Sequence, residues 1–165
     1  MMADKDNVRT YTWDDPKEIL EEAAGKTGLD YLKLIEEKGV SANPFWQTIG
    51  VKNFEVLEPG KVRFIALPED FHSNIIGSVH GGFAASLLDS ALATAVHTLI
   101  PIAGKMTTIQ MNINYVRAIK VGQGEIYCEG EAVHVGKQMA TAEAKVIDGE
   151  GKIYSHGTAT LLILK

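Results

Sequence analysis

The sequence has a single cysteine, Cys128, among 165 residues. One thiol cannot form an intrachain disulfide, which excludes a disulfide-stapled secreted scaffold and makes the cytoplasm the expected compartment. Basic charge is also short: 16 Lys and Arg stand against 21 Asp and Glu, a formal net charge of -5. The field of such a chain repels polyphosphates and anionic membrane surfaces, so nucleic acid is not an expected partner. No signal peptide is expected, because Met1 to Asp15 mixes Asp4, Lys5, Asp6, Arg9 and Asp14 with few apolar residues. An uncharged run of membrane length is missing too. Residues 81–104 come nearest, but they carry Asp89 near the middle, and a carboxylate there costs about 2.5–3.5 kcal/mol. No membrane association is expected.

Several chemical signatures are absent. There is no G-x-S-x-G of an alpha/beta hydrolase. Gly25-Lys26-Thr27 resembles the end of a phosphate loop, but the glycine required five positions earlier is Leu20. His72, His97, His134 and His156 lack metal-ligand spacing, so no metal is expected. Cys128 alternates within a strand pattern and reads as a small buried hydrophobe.

What is present is an ordinary globular composition, 45% hydrophobic and 22% charged, in a chain long enough to bury roughly 68–70% of its unfolded surface. Asp15-Pro16-Lys17-Glu18 opens a helix that runs to about Ala24, and Leu29, Leu32 and Ile35 recur at helical spacing until Gly39. These two short helices hold eight acids against four lysines over residues 14–39, a poor DNA reader and better suited to packing or covering a site. Residues 49–57 and 61–67, joined by Glu58-Pro59-Gly60, predict a hairpin. Gly82 to Leu99 predicts about five turns of helix, apolar almost all round, which something must enclose. From Thr107 the period becomes two, with Ile109, Met111, Ile113 and Tyr115 on one face. Three further strands follow at 125–135, 138–147 and 152–164, and Ala140, Ala142, Ala144, Gly157 and Ala159 give them a face on which a helix can lie close. One long helix among six strands predicts an α+β fold: an antiparallel sheet of five or six strands curled around that helix. The organisation expected is a helical extension over residues 1–44 and a sheet domain over 45–165.

Asp89 is the one formal charge between Asp70 and Lys105, in the middle of the enclosed helix. A buried carboxylate is costly unless paired, protonated or useful. Ser86, Ser90 or a facing strand could satisfy it, yet no basic residue lies nearby in sequence, which favours function. His80-Gly81-Gly82 opens the same helix, where free N–H groups and the positive dipole end suit an oxyanion. Gly82 and Asp89 are seven residues apart, or roughly 10 Å along the axis, whereas a nucleophile and an oxyanion donor must both lie within about 3 Å of the reacting group. Two antiparallel copies of the helix related by a two-fold axis solve this by placing Gly82 of one chain against Asp89 of the other. A homodimer with shared sites is therefore expected.

The run from Asn74 through His80-Gly81-Gly82 to Leu87-Leu88-Asp89-Ser90-Ala91, continued by Thr107 to Tyr115, resembles the signature of hot-dog-fold acyl-CoA thioesterases of the phenylacetic acid degradation, or PaaI-like, family. The resemblance covers about residues 45–165, and no residue expected of the motif is missing. It implies a hot-dog fold with the long helix as the sausage, dimers pairing into homotetramers, and hydrolysis of acyl-CoA to a carboxylic acid and coenzyme A. It also implies that Asp89 is nucleophile or general base and that the Gly82 N–H polarises the thioester carbonyl. His80 would support the loop or the thioester end, Asn74 would orient water or the leaving group, and Thr108 would help hold the attacking water. Gly81 belongs to the substrate-binding loop, and coenzyme A enters only as part of the substrate, with no separate cofactor.

Arg117, Lys120 and Lys137 are the basic residues near strand ends that could meet the phosphates of coenzyme A, solvated surface charge being the bland reading of each. Trp13, Phe45, Trp46 and Phe71 either line an acyl pocket or fill core. The rival readings are a hot-dog dehydratase of hydroxyacyl thioesters, which would usually pair a His with an acid differently, and a non-catalytic acyl-CoA sensor, which needs an output domain.

Overall fold

The computed structural model describes residues 7–101 and 105–164. Asp4, Lys5 and Asp6 of the N-terminal reading, and the Gly104 end of the apolar run, lie outside the described residues. Helix α1 (Pro16–Glu22) starts where Asp15 caps it, the carboxylate accepting from the Lys17 N–H at 2.9 Å. Helix α2 (Gly28–Lys38) is capped by Thr27, which accepts from the Asp30 N–H at 3.1 Å. A third helix, α3 (Pro44–Thr48), is not among the elements expected from the sequence. Its signal is the one read at Asp15-Pro16: Asn43 accepts from the Phe45 and Trp46 N–H groups, and Pro44 takes the first position.

Six strands follow the expected order: β1 (Val51–Glu58), β2 (Lys61–Ala66), β3 (Lys105–Tyr115), β4 (Ile126–Val135), β5 (Met139–Asp148) and β6 (Ile153–Leu164). Helix α4 (Gly81–His97) lies between β2 and β3 in sequence. All pairings are antiparallel, in the order β1-β2-β4-β5-β6-β3, so β1 and β3 are the edges. This is the expected sheet around one long helix, a hot-dog fold.

On β5 and β6 the inner face is made largely of small residues, and that decides how close α4 comes. Ala140, Ala142 and Ala144 of β5 and Gly157 and Ala159 of β6 are buried beneath it. On β4 a side chain at Gly130 would strike the Ala91 carbonyl of α4, so the helix backbone rests directly on that strand. Cys128, one step along the same face, is fully buried, and burial pushes its thiol far up from the usual range. It is inert packing, as expected.

The N-terminal helices join the same hydrophobic cluster through Ile19, Leu32, Ile35 and Trp46. Gly28 opens α2 against the far end of α4: its N–H donates to the Ile100 carbonyl at 2.9 Å, and a side chain there would collide with the His97 carbonyl. Trp46 settles between Phe54 and Phe64, ring centroids 5.0 and 4.8 Å away, and fills core. Trp13, Phe45 and Phe71 are exposed.

Replacing Gly130 by Ala should cost about 1–3 kcal/mol, because the added methyl forces backbone apart from backbone. Urea unfolding measures this as a lowered midpoint at constant slope, and an unchanged midpoint would mean that α4 can retreat from the sheet at no cost.

Candidate active site

The loop leading into α4 is fixed from several sides. The His80 N–H donates to the His72 carbonyl at 2.8 Å and the Val79 N–H to the Ile119 carbonyl at 3.1 Å. His72 in turn accepts through Nδ1 from the Glu69 N–H at 3.0 Å, and its Nε2 lies 3.1 Å from the Ile49 carbonyl. That pattern sets the neutral tautomer with its proton on Nε2. Burial pulls the His72 titration below its usual value, and Arg9 and Lys52 add to this while Glu69 and the Ile49 carbonyl oppose it.

His80 is the N-cap of α4. Its Nδ1 accepts from the Gly82 N–H at 2.8 Å, and a side chain at Gly82 would sit 2.8 Å from that same nitrogen. Gly82 is thus required so that the histidine can fold back over the first turn. This corrects the sequence expectation: the Gly82 N–H is committed to the cap. The Gly81 N–H, in the first helical position and exposed, has no acceptor among the described residues. Position alone could not separate two adjacent glycines, whereas the cap does.

Asp89, two turns further along, is half-buried and not sealed. Its Oδ1 accepts from the Thr108 hydroxyl at 2.9 Å, and no Lys, Arg or His among the described residues pairs with it. The facing strand, not Ser86 or Ser90, satisfies the carboxylate, and only in part. Thr108 reaches it because β3 is irregular: the register with β6 shifts between Thr108 and Gln110. Before the shift Met106 and Thr108 face α4, and after it Met111 and Ile113 do, leaving Ile109 exposed. The uniform alternation read from sequence puts Ile109 and Tyr115 inside. Both are in fact exposed, since a bulge reverses the phase of a strand and Tyr115 lies at its end.

Asn74 is spent on its own turn. Its Oδ1 accepts from the N–H groups of Ile76 and Ser78, and its Nδ2 donates to the Ser78 hydroxyl at 3.0 Å. One amide hydrogen remains for anything else. Arg117 donates to the Ile153 carbonyl at 2.7 Å, beside the start of β6. Lys137 is exposed in the β4–β5 turn, next to Gln138, whose carbonyl accepts from Ile163 at the other end of β6. Ten strand residues separate those ends, about 30 Å, so one chain does not bring Arg117 and Lys137 together. Lys120 is exposed in the loop before β4.

A cavity of about 400 Å³ opens at the first turn of α4, lined by Asn74, His80, Gly81, Ala84 and Arg117 among others. A larger groove, about 1190 Å³, follows the N-terminal segment past Lys52 and Phe71 and touches neither Asp89 nor Gly81. Nothing in the residue pattern signals what holds that segment. Arg9 stacks 4.0 Å from the Phe71 ring centroid and donates to the Gln47 and Thr48 carbonyls at the end of α3. Among the described residues no group of three or more His, Cys, Asp or Glu is placed to hold a metal ion, and no helix is long and apolar enough to cross a membrane.

Because His72 titrates below the ordinary 6.5 when folded, the unfolded chain binds a proton that the folded chain refuses. The stability it contributes is complete above pH 6.5 and is lost as pH falls through the lowered value. Burial lowers His97 too, with the same sign. Unfolding free energy measured between pH 7 and pH 5 should therefore decline on acidification. In His72→Gln the decline should be shallower, and an identical slope would remove His72 from the account.

Comparison with known proteins gives four findings. The family model described as Thioesterase superfamily matches residues 76–155. Acyl-coenzyme A thioesterase 13 of Homo sapiens is 28% identical over 120 residues, spanning 72% of this chain and 84% of its own length. A relative from Halobacterium salinarum is 36% identical over 73 residues, and the match spans 46% of its length, about half. Among solved structures, a variant of the phenylacetic acid degradation protein PaaI from Thermus thermophilus superposes with a TM-score of 0.66 at 28% identity, covering 74% of this chain and 100% of that one.

Proposed function

We propose that this chain is a PaaI-like hot-dog member of the thioesterase superfamily and that it hydrolyses acyl-CoA thioesters to a free carboxylic acid and coenzyme A, a reading its similarities support. The observation that carries this is Asp89, a carboxylate on an otherwise apolar helix, tied by one hydroxyl and paired with no cation among the described residues. Its second oxygen is available for chemistry.

The Gly81 N–H and the positive end of α4 receive the thioester carbonyl oxygen as it gains charge. Asp89 either attacks the carbonyl carbon directly or takes a proton from an attacking water. Along the water route the C–O bond forms, the C–S bond breaks, and the departing thiolate takes the proton held on the Asp89 carboxyl. Thr108 fixes the carboxylate and, through its hydroxyl oxygen, can accept from that water. His80 acts through the loop: by occupying the Gly82 N–H it holds the first turn of α4 open at Gly81. Asn74 gives the preceding turn its shape and keeps one N–H for water or the leaving group.

A second copy of the chain completes the site. Gly81 and Asp89 are eight residues apart on one helix, about 12 Å, too far to act on one carbonyl. The free edge strand β3, with Ile109 53% and Tyr115 56% exposed, is where a two-fold partner fits. Antiparallel pairing along β3 sets the Arg117 end of one chain beside the Lys137 end of the other, which supports both as contacts for the phosphates of one coenzyme A. Pairing of two such dimers into a homotetramer is the assembly the family resemblance supports. The organisation this reading carries is a helical extension over residues 1–44 and a hot-dog domain over 45–165, and a buried free thiol at Cys128 suits the cytoplasm.

Thiol release from acyl-CoA tests the reaction. Asp89→Asn should lower turnover about 10²–10⁴-fold with acyl-CoA binding retained, and near-normal hydrolysis would take Asp89 out of the mechanism. Hydration of an enoyl-CoA without thiol release would favour a dehydratase, and tight binding without turnover a sensor. Mixing Asp89→Ala chains with Gly81→Pro chains, each inactive alone, should restore one intact site per heterodimer, a quarter of wild-type activity in an equimolar statistical mixture. No recovery would argue against a shared site.

A further inference from the structure

The inner face of β5 and β6 is otherwise hydrocarbon: Ala140, Ala142, Ala144 and Val146 on one strand, Gly157, Ala159 and Leu161 on the other. Ser155 is the exception. It lies opposite Val146 on β5 and Tyr115 on β3, at 1% exposure. Its hydroxyl is the one buried side-chain polar atom among the described residues with no hydrogen-bond partner. An alanine would fill the same space without leaving a polar atom unpaired, and such an atom is costly unless something pairs with it.

Ser155 lines the same cavity as Gly81, His80 and Ala84. Gly81 and Arg117 are exposed at its mouth, whereas Val79, Ile119 and Ser155 are buried. If the thioester carbonyl sits at the Gly81 N–H, the coenzyme A end, with its polyanionic phosphates, must remain on the solvent side. The acyl group is then the part that enters the interior. It meets walls that mix apolar Val79, Ala84 and Ile119 with the hydroxyls of Ser78, Tyr115 and Tyr154, and Ser155 is the buried hydroxyl left without a partner, able to donate to or accept from an oxygen on the chain.

We infer that Ser155 is a specificity-determining residue, and that this enzyme prefers acyl groups carrying a hydroxyl or oxo oxygen over plain hydrocarbon chains of the same length. The inference rests on the thioesterase reading of the site and names the substrate class within it. A pocket that hydrogen-bonds a substrate oxygen rejects the analogue lacking it, because its own polar group is then left unpaired.

The test compares kcat/KM for thiol release, corrected for spontaneous hydrolysis, on hexanoyl-CoA, 3-hydroxyhexanoyl-CoA and 5-oxohexanoyl-CoA. Wild type should favour at least one of the oxygenated substrates by about tenfold or more. In Ser155→Ala the ratio should fall to within about twofold of unity, through loss on the oxygenated substrate, with hexanoyl-CoA turned over as well as before or better. Ser155→Ala is nearly isosteric, and a thermal melt checks its folding. No preference in wild type, or a preference that survives Ser155→Ala, overturns the inference. A shifted melting temperature with an unchanged ratio would assign Ser155 a purely structural part and overturns it as well. If wild type hydrolyses hexanoyl-CoA but shows no Ser155-dependent preference, only the specificity assignment fails. If it releases thiol from none of the three, the thioesterase reading fails and takes this inference with it.

Discussion

The contact between α4 and the inner face of the sheet governs the rest of the structure. An apolar helix of 17 residues has no stable place in water, and it is enclosed here by strands that meet it with a stripe of small residues, Gly130, Ala140, Ala142, Ala144, Gly157 and Ala159. At Gly130 even a methyl is too large, because the Ala91 carbonyl occupies its place. Close-packed interiors do not deform gradually. A helix held this near has one axial position and one rotation, and those fix where Asp89 and the Gly81 N–H stand.

From that placement the polar features follow. Asp89 projects toward the edge strand β3, and the bulge there turns Thr108 to meet it. At the other end of the exposed face, the His80 ring covers one amide of the first turn and leaves its neighbour uncommitted. Capping and oxyanion binding compete for the same few N–H groups at a helix start. Gly82 serves the cap by having no side chain, and the Gly81 N–H is left uncommitted among the described residues. His72 links this corner to the end of α3 and to the turn at Glu69, so the loop is braced by hydrogen bonds from three directions.

Much of this is legible in the residues. Periodicity locates α4 and all six strands to within about two residues, because long amphipathic or wholly apolar segments state their own period. Asp89 stands out as a lone charge in an apolar helix, and the Ala and Gly stripe announces the close helix. Helix α3 escapes such a reading although Asn43-Pro44 carries the same start signal as Asp15-Pro16, since five residues are too few to display a period. The phase of β3 at Ile109 escapes it too, because a bulge leaves no mark in an alternating pattern. Arg9, held between Phe71 and the end of α3, is invisible, since its partners lie about forty to sixty residues away along the chain.

The sequence by itself determined the fold class, the order of elements, the enclosed carboxylate and the glycine-rich helix start, all of which depend on local pattern and on the cost of exposing apolar surface. Only the tertiary structure decided which glycine keeps a free N–H, which hydroxyl meets Asp89, and that Ser155 stands buried and unpartnered beside the cavity. Those are matters of distance between segments remote in the chain, set by strand register and by the return of a capping side chain over its own helix. Neither leaves a trace in the spacing of residues.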